Sequence, residues 1–157
     1  KNKGNTHRND DGINKDVGDN ITVIIDSSDL KITERGDWLS TKWKRRGRIK
    51  VHVAIDKDTM NIVSFNVTKE DRADNKEFKN VLDPIIGKVT KVYGDKGYDS
   101  RENFNYLANN NVTPVILPRK KNARTRARGS PAGAKVVREI YKMGLENWKE
   151  SVEYGVR

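Results

Sequence analysis

The sequence predicts an α/β domain built on a mixed β-sheet with flanking helices. Three observations predict it: a β-branched run comes first, two alternating segments joined by a turn follow, and the apolar spacing then changes to a helical period. Neighbouring strands followed by alternating helices and strands are typical of a sheet that is antiparallel on one side and parallel on the other. The 157 residues leave room for one such domain, or for one domain and a tail.

The antiparallel part is predicted to hold three strands. Ile21–Asp26 is a β-branched run that ends at a carboxylate, and it predicts a strand buried on both faces. Arg48–Asp56 alternates between branched apolar residues and a second face that carries His52, which we interpret as a structural residue. After a turn at Lys57–Met60, the segment Asn61–Val67 alternates again, so the two segments predict a hairpin.

Helices and strands then alternate. Asp74–Ile86 has helical spacing, although Pro84 could kink or end that helix early. Val89–Tyr93 predicts a strand, Ser100–Asn109 a second helix, and Val112–Leu117 a further strand. This order of elements has few unknotted arrangements, of which the ribonuclease-H-like mixed sheet is the best known.

The two ends of the chain differ in character. Lys1–Asn20 carries too few apolar residues to bury, and we expect a disordered or linker lead-in before a domain over residues 21–157. Arg119–Gly133 has no apolar period and predicts an exposed loop. From Ala134 the pattern is helical, with an expected break at Gly144 and a second half that buries Leu145, Trp148, Val152 and Val156.

The positive charge is concentrated. The chain has 32 Lys and Arg against 22 Asp and Glu, a net charge of +10. Two segments without acids supply twelve of these cations, and the remaining 20 nearly balance the 22 acids. Such strips on a neutral body favour a polyanionic partner, usually nucleic acid, although each strip alone could be a solvated loop. The cations are Lys42, Lys44, Arg45, Arg46, Arg48 and Lys50, then Arg119, Lys120, Lys121, Arg124, Arg126 and Arg128.

Composition excludes several other classes. Without cysteine there is no disulfide framework, thiolate zinc site or cysteine nucleophile. The two histidines, His7 and His52, lie far apart in the sequence, which argues against a histidine metal cluster. No apolar run is long enough to cross a membrane, and we expect a soluble, cytoplasmic protein.

Two carboxylates follow predicted strands. Asp26 ends the first strand and Asp95 follows the fourth, so adjacent strand ends would place both at one edge of the sheet. Carboxylate oxygens there could hold Mg²⁺ for phosphodiester cleavage, in which two ions activate the attacking oxygen and stabilise the leaving one. Either residue alone would more often serve a turn or a cap, but the presence of both at strand ends, beside two cationic strips, favours the catalytic role. We assign that structural role to the remaining candidates, Asp29, Asp56, Asp74 and Asp99.

Four segments carry a family resemblance. From Val23 to Arg157 the chain resembles the catalytic domain of prokaryotic insertion-sequence DDE transposases, whose acidic triad ends in a Y-x2-R-x3-E-x6-K signature. The matching segments, in order, are Val23–Ser28, the hairpin Lys50–Asp56 with Ile62–Thr68, Gly94–Ser100, and Tyr154–Arg157.

The resemblance implies a function and a site. It implies metal-dependent phosphodiester hydrolysis at the ends of a mobile element and strand transfer into target DNA, by a dimer on paired ends. It implies that Asp26 and Asp95 are catalytic metal ligands for Mg²⁺, with Mn²⁺ as the alternative ion. Tyr154 and Arg157, on one helix face, would bind DNA phosphates, and Lys96 joins the DNA-binding cations.

One position of the family pattern lies past the printed sequence. The third acid is expected four residues after Arg157, so we expect this chain to lack one ligand and to bind DNA without cutting it efficiently. Two alternatives stay open beside an active transposase. The first is a catalytically incomplete DNA-binding remnant, and the second is a ribonuclease-H-like nuclease without strand joining.

Overall fold

A computed structural model describes residues 17–31, 48–69, 71–119 and 129–155. Most of the predicted lead-in, residues 1–16, lies outside these ranges. The strands are β1 (Ile21–Lys31), β2 (Arg48–Asp56), β3 (Ile62–Lys69), β4 (Val89–Gly94) and β5 (Thr113–Ile116). The helices are α1 (Asp74–Leu82), α2 (Arg101–Asn109), α3 (Pro131–Met143) and α4 (Leu145–Ser151).

The strands form one five-stranded mixed sheet. Their order is β3-β2-β1-β4-β5. The pairs β1–β2 and β2–β3 are antiparallel, whereas β4 runs parallel to β1 and β5 runs parallel to β4. Three antiparallel strands followed by parallel strands and flanking helices are the ribonuclease-H-like arrangement, so the fold prediction is confirmed. In the described ranges, no helix is both long and apolar enough for a membrane span.

Strand β1 is longer than predicted and is buried on one face. Ile21, Val23 and Ile25 are buried, whereas Thr22 and Ile24 between them are only partly covered. The strand does not end at Asp26, because β2 pairs with it as far as Lys31. The parallel pairing with β4 stops at Ile24, so Asp26 lies in a part of β1 that pairs with β2 but not with β4.

The inner face of β2 is its more polar one. His52, Ala54 and Asp56 are buried, while the branched residues between them are partly exposed. The reason is tertiary: α1 packs against β2 and β3 on that inner face. On the other face, Phe65 and Val67 of β3 remain 47% and 48% exposed.

The helix ends follow local chemistry. Helix α1 stops at Leu82, two residues before Pro84, because the proline has no N–H with which to continue the helical hydrogen bonds. Ser100 caps α2 as its hydroxyl accepts the backbone N–H of Asn103 at 3.1 Å. Helix α3 begins at Pro131, earlier than predicted, because proline suits a first turn and the Ser130 hydroxyl accepts a backbone N–H there.

The C-terminal helix is shorter than predicted. The expected break at Gly144 is present, and Trp148 is buried with 1% exposure. Helix α4 then ends at Ser151, because Glu153 and Gly155 adopt left-handed backbone angles, with φ of 55° and 101°. Tyr154 therefore lies in a turn. The prediction that Tyr154 lies on a helix face, shared with Arg157, is wrong for Tyr154.

Candidate active site

Asp26 lies in β1, and Asp95 directly follows β4, the strand that pairs in parallel with β1. Ile24 of β1 pairs with Tyr93 of β4, and each aspartate follows its strand's paired residue by two positions. This register places both residues at the end of the sheet where the pairing of β1 with β4 stops. The convergence of their two carboxylates on one metal ion stays a prediction from the strand order.

Each of these carboxylates is fixed by its own backbone. Asp95 caps a 3-10 turn at Lys96–Tyr98, where its Oδ1 accepts the N–H of Gly97 at 2.7 Å. The Oδ1 of Asp26 accepts the N–H of Ser27 at 2.8 Å. Both side chains are exposed, and among the described residues no cation forms an ion pair with either.

A third aspartate, Asp74, lies beside this pair. It begins α1 but does not cap it; its Oδ1 instead accepts the Ser27 hydroxyl at 2.8 Å and lies 2.8 Å from the Lys50 ammonium. Burial would raise the pKa of this carboxyl, but the bonds from Lys50 and Ser27 outweigh burial and lower it. Sequence reasoning missed this role, because an aspartate at a helix start fits a cap equally well.

Tyr98 is the last residue of the turn that Asp95 caps, and it is buried. Its side chain is 1% exposed, and burial raises the pKa of the phenol above its ordinary value. The negative charges of Asp74, Asp26 and Asp95, in that order of size, raise it further.

His52 is buried next to this group. Its Nε2 lies 3.0 Å from the Thr68 hydroxyl, and its Nδ1 lies 3.7 Å from the Oδ1 of Asp74. Burial lowers the pKa of the imidazole, and the Asp74 charge only partly opposes that shift. A neutral, buried imidazole agrees with the structural role predicted for this strand position.

Arg119 holds the turn that carries Asp95. Its Nε donates to the carbonyl of Lys96 at 2.8 Å, and its Nη2 donates to the carbonyl of Gly97 at 3.1 Å. Its backbone N–H donates to the Oδ2 of Asp99 at 2.7 Å. Asp99 thus links this turn to the segment that follows β5. Lys96, in the same turn, is exposed.

The segment after α4 docks on the same edge. The Tyr154 hydroxyl donates to the carbonyl of Gly94 at 3.2 Å, and the Tyr93 hydroxyl donates to the carbonyl of Val152 at 2.6 Å. Lys57 and Glu153 form an ion pair at 2.8 Å. A small cavity lies between this segment and β1 and β4, and Asp95 and Tyr154 both line it.

Ten of the predicted DNA-binding residues fall outside the described ranges. Of the others, Arg48 begins β2 opposite Lys31, while Lys50 is the partner of Asp74. Asp56, predicted to serve a turn, accepts bonds from the Asp58 backbone and the Thr59 hydroxyl. The ten predicted DNA-binding residues outside the described ranges are Lys42, Lys44, Arg45, Arg46, Lys120, Lys121, Arg124, Arg126, Arg128 and Arg157.

The donor set at the edge suits a divalent cation of the magnesium type. Two exposed carboxylates from adjacent strands are the oxygen donors that Mg²⁺ prefers, and Mg²⁺ is commonly held by one or two carboxylates together with water and substrate phosphates. In the described part of the chain, no three acidic, histidine or cysteine side chains form a metal-binding group. Asp26 and Asp95 therefore form a two-carboxylate candidate.

The order and directions of the five strands define a ribonuclease-H-like α/β domain. A family model described as the transposase DDE domain matches residues 18–154, and the chain belongs to that family. Among solved structures, it is similar to a chain of the cryo-EM structure of the simian T-cell lymphotropic virus intasome in complex with PP2A regulatory subunit B56 gamma. That match has 16% identity, a TM-score of 0.48 and 83% coverage of this chain, which spans 43% of the other.

Proposed function

We propose that this chain carries the catalytic domain of an insertion-sequence DNA transposase, with Asp26 and Asp95 as its first two catalytic carboxylates. The observation that supports it most directly is the register of β1 and β4, in which each aspartate lies two residues after the paired residues Ile24 and Tyr93. Membership of the transposase DDE family supports the same reaction class.

The reaction has two steps on DNA. In the first, a water oxygen bonds to the phosphorus at the element end while the bond to the 3′ oxygen breaks and that oxygen leaves as a hydroxyl. In the second, this 3′-hydroxyl attacks a phosphorus of target DNA, and a target 3′ oxygen leaves. A divalent ion, Mg²⁺ or Mn²⁺, would supply positive charge to the phosphate when held by Asp26 and Asp95.

The described parts of both cationic segments attach near the aspartates. The segment at residues 42–50 enters the sheet through β2, which pairs with β1 beyond Asp26. The segment at residues 119–128 leaves from Arg119, which contacts the turn after Asp95. We infer that both segments contact the phosphates of DNA laid across this edge, which fixes its position without reading sequence.

A binding experiment tests the carboxylate pair. Mn²⁺ binding to the 157-residue protein is followed by electron paramagnetic resonance, and Asp26→Asn and Asp95→Asn are each expected to abolish it. Both asparagines keep an oxygen for the local backbone bond, so thermal unfolding should stay unchanged. Asp29→Asn, an exposed aspartate on the same strand, is the matched control and should bind normally. Equal binding by all variants would contradict the site.

A second experiment separates the possible activities. Duplex DNA binding and nicking of supercoiled plasmid in Mg²⁺ are measured together, followed by joining of a labelled element end to target DNA. Binding without nicking is the result expected if a third carboxylate is needed; a chain extended to carry a glutamate four residues after Arg157 should then nick, and failure of that chain to nick would favour the incomplete remnant. Nicking without joining would favour a nuclease, and loss of both nicking and joining in Asp26→Asn supports the transposase.

A further inference from the structure

Arg119 and Asp99 form a reciprocal clamp on the turn that follows Asp95. The Asp99 carboxylate accepts the Arg119 backbone N–H at 2.7 Å, while the Arg119 guanidinium reaches back to the carbonyls of Lys96 and Gly97. The same turn is closed internally, since Tyr98 and Asp99 donate their N–H groups to the carbonyls of Asp95 and Lys96. Every bond in this set fixes the backbone that presents the Asp95 carboxylate.

The geometry is specific to arginine. Nε and Nη2 are adjacent donors in one rigid plane, and here they meet two successive carbonyls of the chain, at 2.8 and 3.1 Å. A lysine ammonium carries the same charge but has no fork with which to hold both carbonyls. The contact therefore depends on the shape of the guanidinium and not only on its charge.

We propose that Arg119 is a positioning residue, which holds the Asp95 turn in the geometry that binds a divalent ion. Direct phosphate contact is then left to the rest of its cationic segment. The inference rests on the proposed function, because the ion is the one assigned there to Asp26 and Asp95. Residues that orient a metal ligand typically change metal affinity 10- to 100-fold when substituted.

Arg119→Lys tests the proposal, since it keeps the charge and removes the fork. We expect Mn²⁺ affinity to fall roughly tenfold, with DNA affinity within about twofold and thermal unfolding unchanged. We also expect faster amide hydrogen exchange in a peptide covering residues 95–99. Arg138→Lys, an exposed arginine on α3, is the matched control and should change neither measurement.

The outcomes separate this inference from the function on which it rests. Absence of Mn²⁺ binding to the unsubstituted protein would remove the proposed site itself. Normal binding that Arg119→Lys leaves intact would overturn only the positioning role. A loss of DNA affinity in Arg119→Lys with unchanged Mn²⁺ binding would make Arg119 a phosphate contact instead. If the lysine variant unfolds early, Asp99→Asn, which weakens the clamp from its other side, gives the same comparison.

Discussion

The carboxylate of Asp95 lies directly over the backbone of Gly97. Its Oδ1 accepts the Gly97 N–H at 2.7 Å and lies 2.8 Å from the position that a Cβ on Gly97 would occupy. The Oδ2 of Asp74 lies 3.3 Å from that same position. The absence of a side chain at residue 97 thus allows two carboxylates to approach one turn.

Gly97→Ala should therefore reduce Mn²⁺ affinity more than it reduces the stability of the fold. A Cβ at 2.8 Å would displace the end of the Asp95 side chain, which can rotate, so we expect at most about 1 kcal/mol of lost stability. Mn²⁺ affinity should fall about tenfold or more, since the ligand itself moves. Urea unfolding and Mn²⁺ titration measure the two effects. Gly87→Ala, where no atom lies within 4 Å, should leave both unchanged.

Tyr93→Phe and Tyr154→Phe test the docking of the C-terminal segment. Each removes a hydroxyl that donates to a backbone carbonyl, Val152 for Tyr93 and Gly94 for Tyr154. We expect each to cost roughly 0.5–1.5 kcal/mol of unfolding free energy. If the Tyr154 hydroxyl also contacts DNA, as the family resemblance implies, only Tyr154→Phe should weaken DNA binding. Equal DNA affinity for both variants would limit the hydroxyl to a structural role.

The Lys50–Asp74 pair should make stability depend on pH. The pKa of Asp74 is lowered in the folded protein, so its contribution is present above the unfolded pKa and is lost as pH falls through the folded pKa. The pKa of Lys50 is raised, mainly by its bond to Asp74, so its contribution is lost only as alkaline pH passes the folded pKa.

Asp74→Asn measures that dependence. We expect it to lose roughly 1.5–3 kcal/mol at pH 7, the range for a hydrogen bond to a charged group. The difference from the unsubstituted protein should shrink when pH falls below the folded pKa of Asp74, where the carboxyl is neutral in both states of the chain. Urea unfolding at pH 7 and at a series of progressively more acidic pH values gives the comparison. A difference that is independent of pH would contradict an ionic role.

The salt dependence of DNA binding tests the second cationic segment. Log affinity should fall with log salt by about 0.9 for each phosphate contact on duplex DNA. Replacing Arg124, Arg126 and Arg128 with Ala should weaken binding to all sequences alike and flatten that slope. Fluorescence anisotropy over a roughly fourfold range of salt concentration measures it. An unchanged slope would mean that the segment does not contact DNA.

Local patterns predicted the sheet well. The alternation in β2 and β3, the β-branched start of β1 and the alternation of helices with β4 and β5 are properties of short segments, and together they allow few topologies. The parallel pairing of β1 with β4 is the part of the site prediction that the fold supplies. The assignment of Asp26 and Asp95 to one metal site stays a prediction.

Other features depend on contacts that no short segment records. Alternation gives β2 two faces, but the packing of α1 decides that the face of His52 is the buried one. The bond of Asp74 to Ser27 crosses from a helix to a strand, so its sequence position indicates only a helix start. The left-handed backbone angle that ends the last helical turn occurs at Glu153, and a glutamate gives no sequence signal for such an angle, as a glycine would.

The parallel pairing of β1 with β4 also has a kinetic consequence. Strands β1 to β3 can assemble by pairing with sequence neighbours, whereas Ile24 meets Tyr93 only after the chain between them, which includes β2, β3 and α1, has been drawn together. Closing that long loop costs chain entropy before any contact repays it. We therefore expect a refolding chain to protect the amides of the β2–β3 hairpin first, and to acquire its two-aspartate edge in the last and slowest step.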